Sequence, residues 1–344
     1  MTDSNKFIKI SIDMLGSETS IANIIKGLNV SFLRNDNYFF RLFGPREKIN
    51  YELKKFKTLK DNVEIIDCNE FIEMTDKPSE VMKTKKNSSM FKSIISILET
   101  DSKAVLSCGN TGALMAFSLL NLKTLDTIKR PAIASIWPNL KGESIVLDLG
   151  ANIKLDSQFL VDNAILGASL ATTLLKIKNP SVGLLNVGKE ESKGSDVLQK
   201  AANELSELNT KGLINYFGFI EGSDISNGLT NVVITDGFTG NIALKTAEGT
   251  ARMIQTFLKN SLKSSLISRL GTIFASFALS SLKDKLDPRV HNCGIFVGLN
   301  APVIKCHGAS DHVGITYAAD LLYMLLSDNV NDRIKQNIAK QLVN

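Results

Sequence analysis

The chain has 344 residues, 44% of them hydrophobic and 22% charged, with a formal net charge of +5. A chain of this size buries roughly three-quarters of its unfolded surface in one large domain or two ordinary ones. Its composition excludes a disordered chain, a coiled coil and a collagen-like fibre, and its charge is too small for the whole chain to read as a nucleic-acid binder.

The opening MTDSNKF is polar, and the alternating FIKISID that follows is too short for a secretion signal. No stretch reaches the ~20 mostly apolar residues of a membrane span. In chain order, short apolar runs rich in β-branched residues predict strands at residues 7–13, 38–43, 63–67, 104–107, 132–136, 144–149, 182–187, 216–220 and 232–235, with a short one at 302–304. Helical patterns fall at 21–33, 47–56, 88–98, 113–122, 156–177, 196–205, 240–257 and 317–343. That alternation predicts an α/β fold of parallel strands with crossover helices on both faces. The apolar runs SIVLDL, VGLLNV and NVVIT suit a sheet covered on both sides. No composition shift marks a boundary, so residues 1–344 are expected to form a single domain. Cys68, Cys108, Cys293 and Cys306 contain no CxxC pair, so no zinc ribbon or disulfide framework is expected and a reducing cytosol is the default compartment.

In such sheets ligands bind beyond the carboxyl ends of the strands. There the sequence has five polar, Gly-containing loops, at 13–16, 109–112, 150–152, 188–194 and 236–241, expected along one edge. Any one glycine can simply end a strand or cap a helix, but ordinary turns vary more in composition than these five do. Loops 109–112 and 236–241 lead into helices, whose N-terminal amides favour anions. Neither a GxGxxG fingerprint nor a GxxxxGK[ST] loop occurs, which disfavours nicotinamide chemistry and ATP hydrolysis.

Two basic clusters stand out. Lys83, Lys85, Lys86, Asn87, Ser88 and Ser89 precede an apolar helix that Ser or Asn can cap. Lys305, Cys306, His307, Gly308, Ala309, Ser310, Asp311 and His312 lie between a strand and the last helix, where a Lys and a His can hold an oxyanion or move a proton. No ligand set there completes a metal site, and no GxSxG elbow supports a Ser-His-Asp hydrolase.

The segments KKNSSM (85–90), CGNTGALMA (108–116), RPAIA (130–134), LDLGAN (147–152), GLLNVGKEESKG (183–194), FIEGSDI (219–225), VVITDGFTGNIALKTAEG (232–249) and GLNAPVIKCHGASD (298–311) together resemble the phosphate acyltransferase (PlsX) family of bacterial phospholipid synthesis. The resemblance implies a three-layer α/β/α sandwich similar to isocitrate and isopropylmalate dehydrogenases. It also implies a homodimer without a cofactor. The implied reaction is attack of inorganic phosphate on the thioester of a fatty acyl group carried by acyl carrier protein. The acyl phosphate product would feed a glycerol-3-phosphate acyltransferase at the membrane. Phosphate needs no covalent nucleophile from the protein, only binding, exclusion of water and a stabilised oxyanion. On that basis Asn110, Thr111 and Asn241 are expected to contact phosphate or the oxyanion, with Lys86, Asn87 and Ser88 as further substrate contacts. Lys193, Lys245 and Lys305 are expected to supply charge, His307 to handle a proton or donate to the oxyanion, and Asp236 and Asp311 to orient cations. The rival readings are an acyl-CoA-dependent phosphate acyltransferase and a non-catalytic membrane scaffold. One loop departs from the family: where members have an Asp-Ala-Met-Gly-Gly-Asp-His-like run, this chain has Asp13-Met14-Leu15-Gly16-Ser17-Glu18-Thr19.

Residues 258–290 differ from the rest. Through Arg289 they hold six basic and two acidic residues, with apolar positions that include Leu266, Ile267, Leu270, Ile273, Phe274 and Phe277. Such a segment suits an anionic membrane surface, an acidic carrier protein, or burial against the body or the dimer mate. Family members are described as peripherally membrane-associated through a projecting helical region. The resemblance therefore makes this segment the expected membrane contact of a cytoplasmic protein.

Overall fold

The computed structural model describes residues 7–154, 156–265 and 293–342, together with Thr272, Phe274, Ala275 and Leu279. In chain order the elements are β1 (Ile8–Asp13), α1 (Ile21–Arg34), β2 (Tyr38–Gly44), α2 (Arg46–Leu53), α3 (Lys57–Lys60), β3 (Val63–Asp67), α4 (Pro78–Thr84), α5 (Ser89–Glu99), β4 (Ala104–Ser107), α6 (Thr111–Leu122), β5 (Ala132–Asn139), β6 (Gly142–Leu147), α7 (Ser157–Leu174), β7 (Ser181–Leu185), α8 (Asp196–Thr210), β8 (Asn215–Ile220), α9 (Gly222–Asn227), β9 (Val232–Ile234), α10 (Gly237–Lys263), β10 (Cys293–Val297), β11 (Val303–Cys306), α11 (His312–Ser327) and α12 (Val330–Leu342). Local chemistry sets many of these boundaries. Ser20, Ser88, Asn110, Asp156, Ser195, Asp236 and Asp311 each accept a backbone N–H at a helix start, which satisfies donors that have no partner within the helix.

The strands form one sheet in the order β3-β2-β1-β4-β11-β10-β5-β6-β9-β7-β8. It is a mixed sheet, which corrects the parallel expectation. The run predicted as two separate strands at 132–136 and 144–149 folds as a hairpin, β5 against β6, closed by Leu140 and Lys141. The apolar run CGIFV, not assigned by periodicity, is β10, antiparallel to both β11 and β5. As a result β6, β9, β7 and β8 run opposite to β1, β4 and β11. The five Gly-containing loops therefore do not share one edge: those after β1 and β4 leave one end of the sheet, and those after β6, β7 and β9 the other. The single helix expected at 317–343 is two helices, broken after Asp328 where Asn329 takes φ +48°.

Each face of the sheet is covered, giving a three-layer α/β/α sandwich. One face packs β-strand residues such as Ile10, Leu106, Ile304 and Leu147 against α1, α7, α11 and α12. The other face carries two separate apolar clusters. Val105, Val303 and Phe296 pack under α5 and α6, while Val146, Val233 and Ile220 pack under α9 and α10. Ile133 touches both clusters, and between them the central strands lie open. That gap, where the strand direction reverses, is where the candidate site forms.

α10 is fully buried only at its first turn, at Gly237 and Gly240. A Cβ on Gly240 would come within 2.0 Å of the Asp148 carbonyl oxygen, so only glycine lets this helix rest on the end of β6. Beyond that turn the helix projects, with Ile242, Ile254 and Phe257 exposed. Residues 258–263 of the membrane-contact segment belong to α10. Leu266, Ile267, Leu270, Ile273 and Phe277 lie outside the described residues, and Phe274 is 90% exposed. Among the described residues no helix is long and apolar enough to cross a membrane.

Candidate functional site

The floor of the cleft is made by β11, β10 and β5. Lys305 and Gly294 are register partners across the β10–β11 pair, and Ile133 and Ser135 lie beyond them on β5. The walls are Thr111, the first residue of α6, and the second and third turns of α10, which present Asn241, Leu244, Lys245 and Glu248. His307, Leu149, Cys293 and Cys306 complete the lining of a cavity of about 190 Å³. This volume suits a small polar head group, with a longer substrate extending out of it.

Lys305 is the buried cation of the site, at 8% exposure. Its Nζ donates to the carbonyls of Cys108, at 3.2 Å, and of Cys306. Two of its three protons are thereby used, and the third is left for a ligand in the cleft. Burial pulls its pKa below the usual lysine value, while neighbouring thiols and the Asp13 carboxylate act in the opposite direction. His307 is exposed to the cleft. Its Nδ1 accepts the Ala309 N–H at 3.2 Å, so in the neutral ring the proton sits on Nε2. Loss of solvent around the ring, then the charges of Lys305 and Lys245, hold the His307 pKa below the usual histidine value. Lys245 Nζ pairs with Glu248 Oε2 at 2.9 Å on the opposite wall.

Behind Lys305 lies a polar network that sequence reasoning passed over. Asp13, at the end of β1 and 1% exposed, accepts the Ser89 hydroxyl at 2.6 Å and the Ser107 hydroxyl at 2.7 Å. Burial is the largest influence on its carboxyl and pushes the pKa up to about 6, against the hydrogen bonds from Ser89, Ser107 and the Leu15 N–H and the Lys305 charge that lower it. The available signal was the carboxylate at the end of a strand and the Ser-Ser pair of KKNSSM, read as a helix cap and, at Ser88, as a substrate contact.

The LDLGAN segment forms a second buried knot. Asp148 accepts the N–H groups of Ile133, Gly150, Ala151 and Asn152 at 2.8–3.1 Å, together with the Asn152 side-chain amide. Asn152 O in turn accepts the Gly237 N–H at 2.9 Å, which ties this loop to the start of α10.

The structure brings Lys305, His307, Asn241, Lys245 and Thr111 together around the cleft. The others are placed differently. Asn110 caps α6 with its side-chain oxygen and gives its amide protons to the carbonyls of Glu73, Met74 and Asp76. Asp236 accepts the N–H of Phe238 and Thr239 and the Thr239 hydroxyl at the head of α10. Asp311 caps α11. Ser88 is buried as the cap of α5, accepting from Phe91 N and donating to Lys85 O. Lys86 and Asn87 are exposed just before that helix, away from the cleft lining. Lys193 is exposed and paired with Glu190 at 2.8 Å on the far loop. Among the described residues, no group of three or more His, Cys, Asp or Glu side chains is arranged to hold a metal ion.

Comparison with known proteins shows what the chain as a whole is similar to. A family model for fatty acid synthesis proteins matches residues 8–333. A phosphate acyltransferase of Sinorhizobium fredii is 42% identical over 334 residues, covering 97% of this chain and 96% of that protein. One from Azorhizobium caulinodans is 43% identical over 336 residues, covering 97% and 94%. Among solved structures, a phosphotransacetylase from Streptococcus pyogenes superposes with a TM-score of 0.63 at 16% identity, covering 94% of this chain and 95% of that one. A phosphotransacetylase from Staphylococcus aureus gives 0.60 at 16% identity, covering 93% and 94%. These last two share the fold.

Proposed function

The chain belongs to the fatty acid synthesis protein family, whose relatives are phosphate acyltransferases, and from that premise we propose that it moves a fatty acyl group from acyl carrier protein to inorganic phosphate. The observation that carries this reading is the cleft itself. A buried lysine, a histidine with its proton on the outward nitrogen and a helix N-terminus converge on one small cavity.

The chemistry then follows from these groups. A phosphate oxygen attacks the thioester carbonyl carbon, forming a C–O bond, and the tetrahedral oxyanion collapses with loss of the C–S bond. The proton of hydrogen phosphate ends on the departing carrier thiol, so that acyl phosphate and free carrier leave. Lys305 and the amides heading α6 hold phosphate. The Nε2–H of His307 donates to the oxyanion, a role that a neutral ring fills and that its lowered pKa preserves at neutral pH. Lys245, released from Glu248 or shared with it, adds charge from the opposite wall. The acyl phosphate would be consumed by a membrane glycerol-3-phosphate acyltransferase, and the enzyme would work as a homodimer.

The test is to mix purified protein with palmitoyl-acyl carrier protein, with and without phosphate, and follow carrier release and acyl phosphate formation. Phosphate-dependent acyl phosphate is the expected result. Turnover with palmitoyl-CoA but not with the carrier would replace the donor. No turnover from folded protein with either donor would favour a non-catalytic scaffold.

The same reading extends to a membrane surface reached by the segment after α10. Its support is the projecting helix with Ile254 and Phe257 exposed and the basic, apolar sequence beyond it. Deleting residues 265–282 should abolish pelleting with anionic liposomes and leave the acyl transfer rate in solution intact. Undiminished pelleting would sink this part.

A further inference from the structure

We infer that Asp13 is a positioning residue of the cleft, holding Lys305 through a relay of one hydroxyl and one peptide group; the inference rests on the reading of the cleft as a phosphate site. Asp13, Ser107 and Lys305 occupy one row across three adjacent parallel strands, since Asp13 pairs with Ser107 and Ser107 pairs with Lys305. Asp13 is buried in that row and is not among the residues that line the cleft.

The relay can be followed atom by atom. Asp13 Oδ2 accepts the Ser107 hydroxyl at 2.7 Å. A serine has one hydroxyl proton, so Ser107 can meet its next neighbour only as an acceptor. That neighbour is the Gly109 N–H, at 3.0 Å. The carbonyl of the same peptide unit, on Cys108, accepts Lys305 Nζ at 3.2 Å. Carboxylate, hydroxyl, peptide and ammonium thus form one chain, negative at one end and positive at the other, in which each bond polarises the next. The peptide is also confined on its other side: a Cβ on Gly109 would lie 2.6 Å from Met90 Cε and 3.4 Å from Asp13 Oδ2. Ser89, at the head of α5, fixes the remaining carboxylate oxygen at 2.6 Å.

The direction of the relay depends on the charge of Asp13. A protonated carboxyl is itself a donor, and the Ser107 hydroxyl is then free to turn from its place between Asp13 and Gly109. The ionisable groups facing Asp13 are Lys305 on β11, Cys108 after β4 and Cys68 after β3. Because its carboxyl titrates at about 6, the relay is intact above that pH and is lost as pH falls through it. Phosphate binding and turnover should therefore carry an acid limb near pH 6. His307 also titrates on the acid side, so the limb must be assigned by substitution.

The experiment compares the full-length protein with its Asp13→Asn, Ser107→Ala and Asp13→Glu variants, each first shown to be folded by circular dichroism and thermal melting. Inorganic phosphate binding is measured by calorimetry, and turnover by acyl phosphate formation, from pH 5 to 8. Asp13→Asn is expected to weaken phosphate binding and lower kcat/KM about 10–100-fold at pH 7, the size of effect that misplacing a site group produces from a distance. It should also remove the Asp13 part of the acid limb, leaving the parts that phosphate itself and His307 contribute. Ser107→Ala should give a similar loss, the double variant should be no worse than either single one, and Asp13→Glu should regain part of the activity. A merely structural role would lower the melting temperature and leave the limb where it was. A limb that persists unchanged in Asp13→Asn, or equal phosphate affinity in wild type and variant, including no binding by either, overturns the inference. If wild type transfers no acyl group, the functional reading falls, while the calorimetry still decides the role of Asp13.

Discussion

Replacing Lys305 with methionine lowers kcat/KM for phosphate about 100-fold or more, equivalent to ~2.7 kcal/mol of transition-state stabilisation. Methionine has nearly the length of the lysine stem and fills the same buried position on β11, so the sheet around it stays packed. What is lost is the only buried ammonium on the cleft floor among the described residues. Its two carbonyl partners, Cys108 and Cys306, lose a donor, but the phosphate charge loses its counter-ion. His307→Ala should fall by a comparable factor, because the oxyanion loses the Nε2–H that the Ala309 N–H holds outward. His307→Gln, which retains a side-chain N–H, should keep more activity than His307→Ala. Steady-state acyl phosphate formation by folded variants is the measurement. Near-normal rates in Lys305→Met would remove that residue from the mechanism, and equal rates in wild type and His307→Ala would remove the histidine.

Replacing Asp148 with alanine destabilises the protein by about 3–5 kcal/mol, at the upper end of single substitutions. One carboxylate satisfies four backbone N–H groups and the Asn152 amide, and all of them sit where β5, the end of β6 and the start of α10 meet. Alanine leaves the buried Asn152 donors and the part-buried N–H groups of Ile133, Gly150 and Ala151 without this acceptor, and an unmade buried hydrogen bond is more expensive than a made one is favourable. Because Asn152 O anchors the Gly237 N–H, the loss should also shift Asn241 and Lys245 on the cleft wall. The denaturation midpoint of Asp148→Ala should fall well below that of wild type, and residual activity should fall with it. A shift of less than about 1 kcal/mol would show that the donors find water instead.

The residues of the cleft divide into those that sequence patterns could expose and those they could not. Lys305 and His307 stood out because a Lys and a His follow a short apolar run and precede a helix, where their chemistry has few structural explanations. Asn110 and Asp236 looked equally suited, since polar side chains in Gly-containing loops can meet anions as readily as they can cap helices. Which they do depends on the carbonyls of residues 73–76 and the N–H groups of Phe238 and Thr239, and the first of these partners are remote in sequence. Asp13 was legible only as a surviving motif letter in an altered loop. Its partners Ser89 and Ser107 lie 76 and 94 positions away along the chain.

The sequence by itself determined the alternation of strands and helices, the α/β class, the capped start of α5 and, through its family motifs, the acyltransferase assignment that the relatives support. These are properties of local pattern, because side-chain periodicity and capping act over a few residues. Strand direction and order belonged to the tertiary structure. A hairpin at Leu140–Lys141 and the return strand Cys293–Val297 reverse the sheet at its centre, and nothing in an isolated apolar run states which neighbour it will pair with or in which sense. That reversal parts the helices over β11, β10 and β5, opens the floor around Lys305, and lets α10 bring Asn241 and Lys245 across it. The site is made by contacts between segments far apart in the chain, and only folding, by burying those segments together, decides them.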